Sequence, residues 1–213
     1  MKVLITGGTS GMGLAASKLF LEKGHTVLIA ANNETQGRMV VEQLKSEGYE
    51  KVHFFAVNIA DVHEVEKLYQ YSIQNIGVMD CIVNNAGIFV GGMLHEIAED
   101  DWDRIFNVDV KSIYATSKYY VPDMIKNGGG TIVNTASVSG LCGDYDMAAY
   151  NAAKGAVVNL VRAMALDYGK YNIRVNNVCP SACATPMFLS NPPEVVEKFR
   201  QAIRLGGFVR RRK

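Results

Sequence analysis

The stretch TGGTSGMG, residues 6–13, directly follows a short β-rich run, VLI (3–5), and opens a segment with apolar residues at helical spacing. Glycines at positions 7, 11 and 13 allow the backbone to adopt positive φ and to approach a ligand closely. The N-terminus of the following helix offers unpaired N–H groups to a pyrophosphate. A tight strand-to-helix turn without a ligand has the same composition, but the position after the first strand favours a dinucleotide-binding turn.

Further β-rich runs alternate with helical patterns along the rest of the chain. Between two of the runs, Val62, Val65 and Leu68 recur at the spacing of one helix face. Strands that are apolar on both faces and separated by helices predict a parallel sheet covered on both sides. The fold class is therefore α/β, a Rossmann-type doubly wound parallel sheet of strand order 3-2-1-4-5-6. The five further runs are TVLIA (26–30), VHFFAV (52–57), CIVNN (81–85), TIVNT (131–135) and IRVNNV (173–178).

The chain has 213 residues, enough for a substantial core but few for two domains, so one domain over residues 1–213 is expected. No seventh β-rich run follows residues 173–178, which would leave the sixth strand at an exposed edge. Such an apolar edge invites pairing with another chain. A truncated C-terminus and a shifted reading frame are two further explanations. The basic end, RRRK (210–213), is interpreted as solvated charge rather than as a nucleic-acid tail.

The composition excludes several classes of protein. The formal net charge is +1, so no strong field recruits nucleic acid or a membrane surface, and a small-molecule partner is expected. The four cysteines follow no metal-ligand spacing, so we predict no metal site and interpret them as reduced core thiols. The N-terminus has no signal-peptide pattern, and no apolar run approaches the roughly 20 residues of a membrane span. A cytoplasmic protein is expected.

The segment YNAAK (150–154) places Tyr150 and Lys154 four residues apart in a helical pattern, so both side chains project from one face. Small residues around them, including Ala149 and Ala153, leave room for a ligand. A phenol with a pKa of about 10 is a poor base at neutral pH, but a nearby ammonium group stabilises the phenolate. An isolated pair of this kind is usually a surface feature. With the glycine-rich turn upstream, it predicts a proton-transfer site.

In the spacing T-G-x-x-x-G-x-G, the first motif resembles the short-chain dehydrogenase/reductase family, and the resemblance recurs along the chain. The resemblance covers residues 1 to about 207. It implies an NAD(P)-dependent oxidoreductase that moves a hydride between the nicotinamide and a secondary alcohol or ketone. It also implies a homo-oligomer, either a dimer or a tetramer. The further matching segments are NNAG (84–87), Ser137 in IVNTASVSG, YNAAK (150–154) and IRVNNVCPSACATPM (173–187).

The resemblance also implies roles for individual residues. Tyr150 would carry the proton, Lys154 would bind the nicotinamide ribose, and Ser137 would hold the substrate oxygen. Asp109 completes the catalytic set. The residues implied in cofactor binding are Gly7, Thr9, Ser10, Gly11, Met12, Gly13, Asn32, Asn58, Ile59, Asn85, Ala86, Gly87, Tyr150, Lys154, Pro180 and Thr185.

Two positions depart from the family pattern. The family usually has asparagine where Asp109 stands, a residue that holds a water in the proton relay from the lysine. An ionised Asp109 near Lys154 would offset part of the charge that favours the phenolate, so we expect activity with a pH optimum shifted upward. Ser181 stands where the family usually has glycine after the proline.

The residues after the second strand do not decide between NAD and NADP. A carboxylate at this position binds the ribose hydroxyls, and a basic residue accepts a 2′-phosphate. The sequence has Ala31, Asn32 and Asn33 there, which give neither signal. Arg38 could fold over the adenosine, although an arginine on an exposed helix face is usually solvated.

Two other functions fit parts of the sequence. A non-catalytic dinucleotide-binding protein or cofactor sensor is favoured by Asp109 and the short C-terminus, whereas the intact set of Ser137, Tyr150 and Lys154 argues against it. A nucleotide-sugar epimerase would carry an added C-terminal domain that the sequence lacks. We expect an apolar wall around a hydrophobic or cyclic substrate. The candidate wall residues are Phe89, Val90, Met93, Tyr145, Met187 and Phe188.

Overall fold

The structure, a computed structural model, describes residues 1–202, which form one parallel sheet with helices on both faces. The sheet order is β3-β2-β1-β4-β5-β6, which confirms the predicted order. The six predicted runs coincide with the strands to within about one residue at either end. The strands are β1 (Lys2–Thr6), β2 (Thr26–Ala31), β3 (Val52–Ala56), β4 (Cys81–Asn84), β5 (Gly130–Thr135) and β6 (Ile173–Val178).

The helices of this region lie between and after the strands. None of them is long and apolar enough to cross a membrane. A π-helical turn, Asn107–Lys111, joins the fourth helix to the fifth. The helices are α1 (Gly11–Glu22), α2 (Glu34–Ser46), α3 (Val62–Asn75), α4 (Glu99–Phe106), α5 (Ser112–Lys126), α6 (Ala148–Gly169), α7 (Pro186–Leu189) and α8 (Pro193–Ala202).

The two faces of the sheet are buried in separate cores. On β1, Leu4 packs into a cluster that also contains Leu68 of α3 and Val157 of α6. Its neighbour Ile5 packs on the opposite face, in a cluster with Leu21 of α1. Successive side chains of a strand point to opposite faces, so an apolar run such as VLI supplies both cores. This explains why β1 and β2 carry continuous apolar runs rather than alternating ones.

The carboxyl ends of the parallel strands meet at one edge of the sheet. β1 lies between β2 and β4, which is where the strand order reverses. In open α/β sheets a ligand binds in the crevice at this switch point. The loops after β1, β4, β5 and β6 therefore surround the candidate site.

β6 lies at the outer edge of the sheet in the described region. The basic segment at 210–213 lies outside the described residues. All four cysteines lie inside them and are free thiols, but the expectation of four core thiols was wrong. Cys81 is buried in the sheet, whereas Cys142 is exposed because it lies in the loop between β5 and α6.

Candidate active site

The glycine-rich turn after β1 is held by the loop after β4. Gly7 and Gly11 have φ of +65° and +51°, a conformation that L side chains rarely adopt. The side-chain amide of Asn85 donates hydrogen bonds to the carbonyls of Thr6 and Gly7, at 3.2 and 3.3 Å. The hydroxyl of Thr6 in turn accepts from the backbone N–H groups of Asn85 and Ala86, both at 3.0 Å. The turn is therefore a fixed feature of the sheet edge.

The same turn leaves space beside the start of α1. This helix begins at Gly11, and the side chain of its N-cap residue Ser10 makes no capping hydrogen bond. The N–H groups of a first helical turn have no partner within the helix and favour an anion. Glycines that keep side chains out of the turn and a helix start without a side-chain cap together fit the pyrophosphate of a dinucleotide.

Replacing Gly13 by alanine is expected to destabilise the turn. The added Cβ would lie 2.2 Å from the carbonyl oxygen of Gly7 and 2.6 Å from the amide nitrogen of Asn85. Overpacking of this kind costs about 1–3 kcal/mol, and we expect weaker dinucleotide binding in addition. Urea unfolding and nucleotide titration measure the two effects.

The matched control is Gly155→Ala in α6, where the added Cβ would meet only the Gly140 carbonyl, at 3.8 Å. This variant should be as stable as the natural chain or more stable, by up to about 1 kcal/mol. Equal stability and equal nucleotide affinity of the Gly13 variant and the natural chain would contradict the proposed role of the turn.

Lys154 forms a buried ion pair with Asp109. The distance from Lys154 Nζ to Asp109 Oδ2 is 2.9 Å, and the two side chains are 6% and 0% exposed. Nζ also donates to the carbonyl of Thr135 at 3.0 Å, and Asp109 Oδ1 accepts from the N–H of Ile88 at 2.8 Å. Burial raises the pKa of Asp109, while the charge of Lys154 and the N–H of Ile88 act in the opposite direction. Asp109 lies in the π-helical turn between α4 and α5, and from there its carboxylate reaches Lys154.

Tyr150, Ser137 and Lys154 line one cavity of about 200 Å³. Tyr150 lies in the first turn of α6, and Lys154 Nζ is 5.7 Å from the centre of its ring. Phe89 packs edge-on against the same ring at 5.3 Å. Ser137 follows β5, is 7% exposed, and accepts from the N–H of Ser139 at 3.2 Å. The structure thus brings the three predicted side chains to one space.

The predicted cofactor residues fall into two groups. The first group lines the same cavity and consists of Met12, Asn85, Gly87, Tyr150, Lys154, Pro180 and Thr185. The others lie in the glycine-rich turn, in the loop after β4, or after β2 and β3. Those remaining residues are Gly7, Thr9, Ser10, Gly11, Gly13, Asn32, Asn58, Ile59 and Ala86.

The region after β2 leaves the choice between NAD and NADP open. Asn32 is exposed, and the side chain of Asn33 caps α2 by accepting from the N–H of Gln36. Arg38 does not fold back over this region, because it pairs with Glu34 at 2.6 Å on the exposed face of α2. The notion that Arg38 covers the adenosine is therefore not supported.

The apolar wall of the cavity was predicted only in part. Phe89, Met187 and Phe188 line it as expected. Val90 instead packs into the buried cluster with Ile105, and Met93 and Tyr145 are 47% and 97% exposed. The loop carrying Tyr145 turns that side chain to solvent, so these three predictions were wrong.

Several residues of the site were not predicted. Val195 and Phe199 of α8 line the cavity, and Phe199 packs edge-on against Phe188 at 5.4 Å. Asp144 also lines it, and Asn151 holds its loop. The spacing of apolar residues in α8 could have indicated a packed face. The contact of Asn151 depends on how the loop returns to α6, which spacing alone does not reveal.

Comparison with known families decides the identity of the chain. Residues 1–195 match the family model described as short chain dehydrogenase. The chain belongs to the short-chain dehydrogenase family. This confirms the resemblance inferred from the glycine-rich turn and the tyrosine–lysine pair.

Individual members of the short-chain dehydrogenase family are similar along most of the chain. Meso-2,3-butanediol dehydrogenase of Serratia marcescens is 43% identical over 204 residues, which are 96% of this chain and 80% of that protein. A solved actinorhodin polyketide ketoreductase with NADPH superposes with a TM-score of 0.93 at 28% identity, covering 98% of this chain and 85% of the other. The solved 3-ketoacyl-(acyl-carrier-protein) reductase of Brucella melitensis, complexed with NADH, superposes with a TM-score of 0.91 at 27% identity. It covers 98% of this chain and 85% of the other.

Family membership and these relatives establish the class of reaction. The chain is an NAD(P)-dependent oxidoreductase that acts on alcohols or ketones. Since one structural relative holds NADPH and the other NADH, the comparison leaves the choice of dinucleotide as open as the residues after β2 do.

Proposed function

We propose that Tyr150 is the general acid and base of this oxidoreductase, that Lys154 supports it, and that Ser137 holds the substrate oxygen. The observation that carries the proposal is that the three side chains line one cavity beside the glycine-rich turn. A bound nicotinamide would supply the hydride acceptor or donor. The dinucleotide would be held by the sixteen residues named for it above.

The chain's own part of the chemistry is proton transfer. In the oxidation direction, Tyr150 Oη takes the hydroxyl proton of the alcohol; in reduction it returns a proton to the carbonyl oxygen. The hydroxyl of Ser137 fixes that oxygen and stabilises the charge that develops on it. Lys154 is held by Thr135 and Asp109, so its ammonium group stays near the ring of Tyr150. The apolar wall excludes water from the reacting atoms.

The absorbance change of the nicotinamide tests the proposal. Purified protein is mixed with each cofactor and a panel of secondary alcohols and ketones, and both reaction directions are followed. Turnover that disappears in Tyr150→Phe supports the assignment. Tight cofactor binding without turnover on any member of the panel would instead favour a non-catalytic binding protein. Titration of both dinucleotides in the same experiment decides between NAD and NADP.

Asp109→Asn is expected to move the pH profile of alcohol oxidation. The carboxylate lies 2.9 Å from Lys154 Nζ and offsets part of its positive charge. An amide can keep the hydrogen bond from Ile88 but removes the negative charge, so the positive charge of Lys154 acts on the proton transfer without this offset. The acid limb of kcat should therefore shift downward, by up to about one pH unit. An identical profile in the variant and the natural chain would refute this role for Asp109.

We also propose that residues 1–213 form one domain that is cytoplasmic and assembles as a homo-oligomer, a dimer or a tetramer. The single sheet supports one domain. Four free thiols are compatible with a reducing compartment. Within residues 1–202 no strand pairs with the outer edge of β6, and an unpaired edge can pair with another chain. Light scattering of the purified protein measures the oligomeric state, and a monomer at micromolar concentration would contradict an oligomer.

A further inference from the structure

The loop between Ser137 and α6 is tied to the catalytic helix by Asn151. Its side-chain amide donates to the carbonyls of Ser139 and Cys142, at 2.6 and 3.0 Å, and to Asp144 Oδ2 at 3.2 Å. Its oxygen accepts from the backbone N–H of Asp144 at 3.3 Å. Asn151 directly follows Tyr150, so the geometry couples the position of Asp144 to that of the catalytic tyrosine.

Asp144 faces the cavity with one oxygen uncommitted. It lines the cavity together with Tyr150 and Met147. Oδ2 is used by Asn151, whereas Oδ1 accepts no hydrogen bond from any residue that the structure describes. The other carboxylate of the wall, Asp109, is already paired with Lys154. Asp144 is exposed, so water satisfies it until a substrate covers it.

The wall of the cavity that Asp144 lines is mainly apolar. Phe89, Met147, Met187, Phe188 and Phe199 line the cavity. A substrate that displaces water from a carboxylate must supply a donor in its place, or the carboxylate loses its hydrogen bonds. Lys154 is already paired with Asp109 at 2.9 Å, so it is not a free partner for Asp144.

We propose that Asp144 is a specificity-determining residue and that the substrate carries a second hydrogen-bond donor beside the reacting carbon. The donor is a hydroxyl or an ammonium group, so the substrate class is the small hydroxyketones or aminoketones and the matching diols or amino alcohols. The apolar lining of the cavity favours an apolar body for the rest of the substrate. This inference rests on the proposed function, since Tyr150 must be the group that serves the reacting oxygen.

Three ketones of equal size test the inference: hydroxyacetone, aminoacetone and butanone. They differ only in whether the carbon next to the carbonyl carries a hydroxyl, an amino or a methyl group. The measured quantity is the ratio of kcat/KM for each donor-bearing ketone to that for butanone. Intrinsic differences in carbonyl reactivity and any general loss of activity cancel when this ratio is compared between variants. A hydrogen bond to a charged group is worth roughly 10-fold to 100-fold in such a ratio.

Asp144→Ala should lower the ratio by about 10-fold or more for at least one donor-bearing ketone, mainly through KM. Asp144→Asn keeps an acceptor oxygen but no charge, so it should preserve most of a preference for the hydroxyl and lose a preference for the ammonium. The matched control is Asp146→Asn, a charge change in the same loop at φ 55°, which asparagine tolerates. It should leave all ratios unchanged.

The outcomes separate this inference from the proposed function. Ratios in Asp144→Ala equal to those of the natural chain would overturn the role of Asp144 while leaving Tyr150 as the acid and base. A natural chain that reduces butanone and rejects both donor-bearing ketones would overturn it as well. If Asp144→Ala is inactive on every ketone, the ratios of Asp144→Asn are compared with those of the natural chain instead. A lower aminoacetone ratio with a retained hydroxyacetone ratio supports the inference, and unchanged ratios overturn it. No reduction of any carbonyl compound by the natural chain would reject the proposed function itself.

Discussion

Tyr150→Phe is expected to reduce kcat by roughly 10²–10⁴-fold in both directions, because it removes the proton carrier and nothing else. The ring that remains still packs edge-on against Phe89 at 5.3 Å. Folding and dinucleotide affinity should therefore stay close to those of the natural chain. Steady-state rates and a nucleotide titration on the same preparation measure both quantities.

Tyr145→Phe is the matched control for this variant. Tyr145 lies five residues earlier, is 97% exposed and is directed to solvent. Loss of its hydroxyl should leave kcat unchanged. If the Tyr150 variant kept more than about a tenth of the natural kcat, another group would have to carry the proton, and the assignment of Tyr150 would be wrong.

Lys154→Met is expected to lower the free energy of unfolding by about 3 kcal/mol at neutral pH, because it leaves the buried carboxylate of Asp109 without its counter-charge. The Asp109 side chain has no exposed surface, and besides the ion pair it accepts a hydrogen bond from the N–H of Ile88. Urea unfolding measures the effect. The double variant with Asp109→Asn should recover most of the loss, since an amide can remain buried next to Ile88 at lower cost.

The loss should depend on pH in a defined direction. Burial raises the pKa of Asp109, and Lys154 acts against this, so removal of Lys154 raises that pKa further. A carboxyl group whose folded-state pKa is raised binds a proton more readily in the folded state, which makes the folded state relatively more stable at low pH. The deficit of Lys154→Met should therefore be full at neutral pH and shrink as the pH falls through the raised pKa. A deficit that is independent of pH, or a double variant as unstable as the single one, would contradict the ion pair.

Much of the fold could be predicted from the sequence because strand burial leaves a simple pattern. Runs such as TVLIA are apolar on both faces, which is what a sheet covered on both sides requires. The glycine-rich turn and the Tyr150–Lys154 spacing have short-range geometric causes, so they can be identified without tertiary contacts. Family membership then confirmed the class of reaction that these motifs indicate.

The parts of the site that escaped prediction depend on long-range contacts. Tyr145 was predicted in the cavity wall because it lies near Ser137 in sequence, but the loop between β5 and α6 turns it to solvent. The same loop brings Asp144 to the cavity, where the side chain of Asn151 in α6 donates a hydrogen bond to it. Phe199 lines the wall from α8, where it packs against Phe188. Loop conformation of this kind leaves no periodic signal in the sequence.

In the proposed mechanism, the substrate oxygen shares one cavity with Tyr150 Oη and Ser137 Oγ, and Lys154 lies beside them. A crystal structure of the enzyme with oxidised cofactor and an unreactive analogue of its alcohol tests it most directly. The account predicts that the analogue's oxygen lies about 3 Å from both hydroxyl groups. An analogue whose oxygen contacts neither hydroxyl, with Lys154 turned away from the tyrosine, would contradict it.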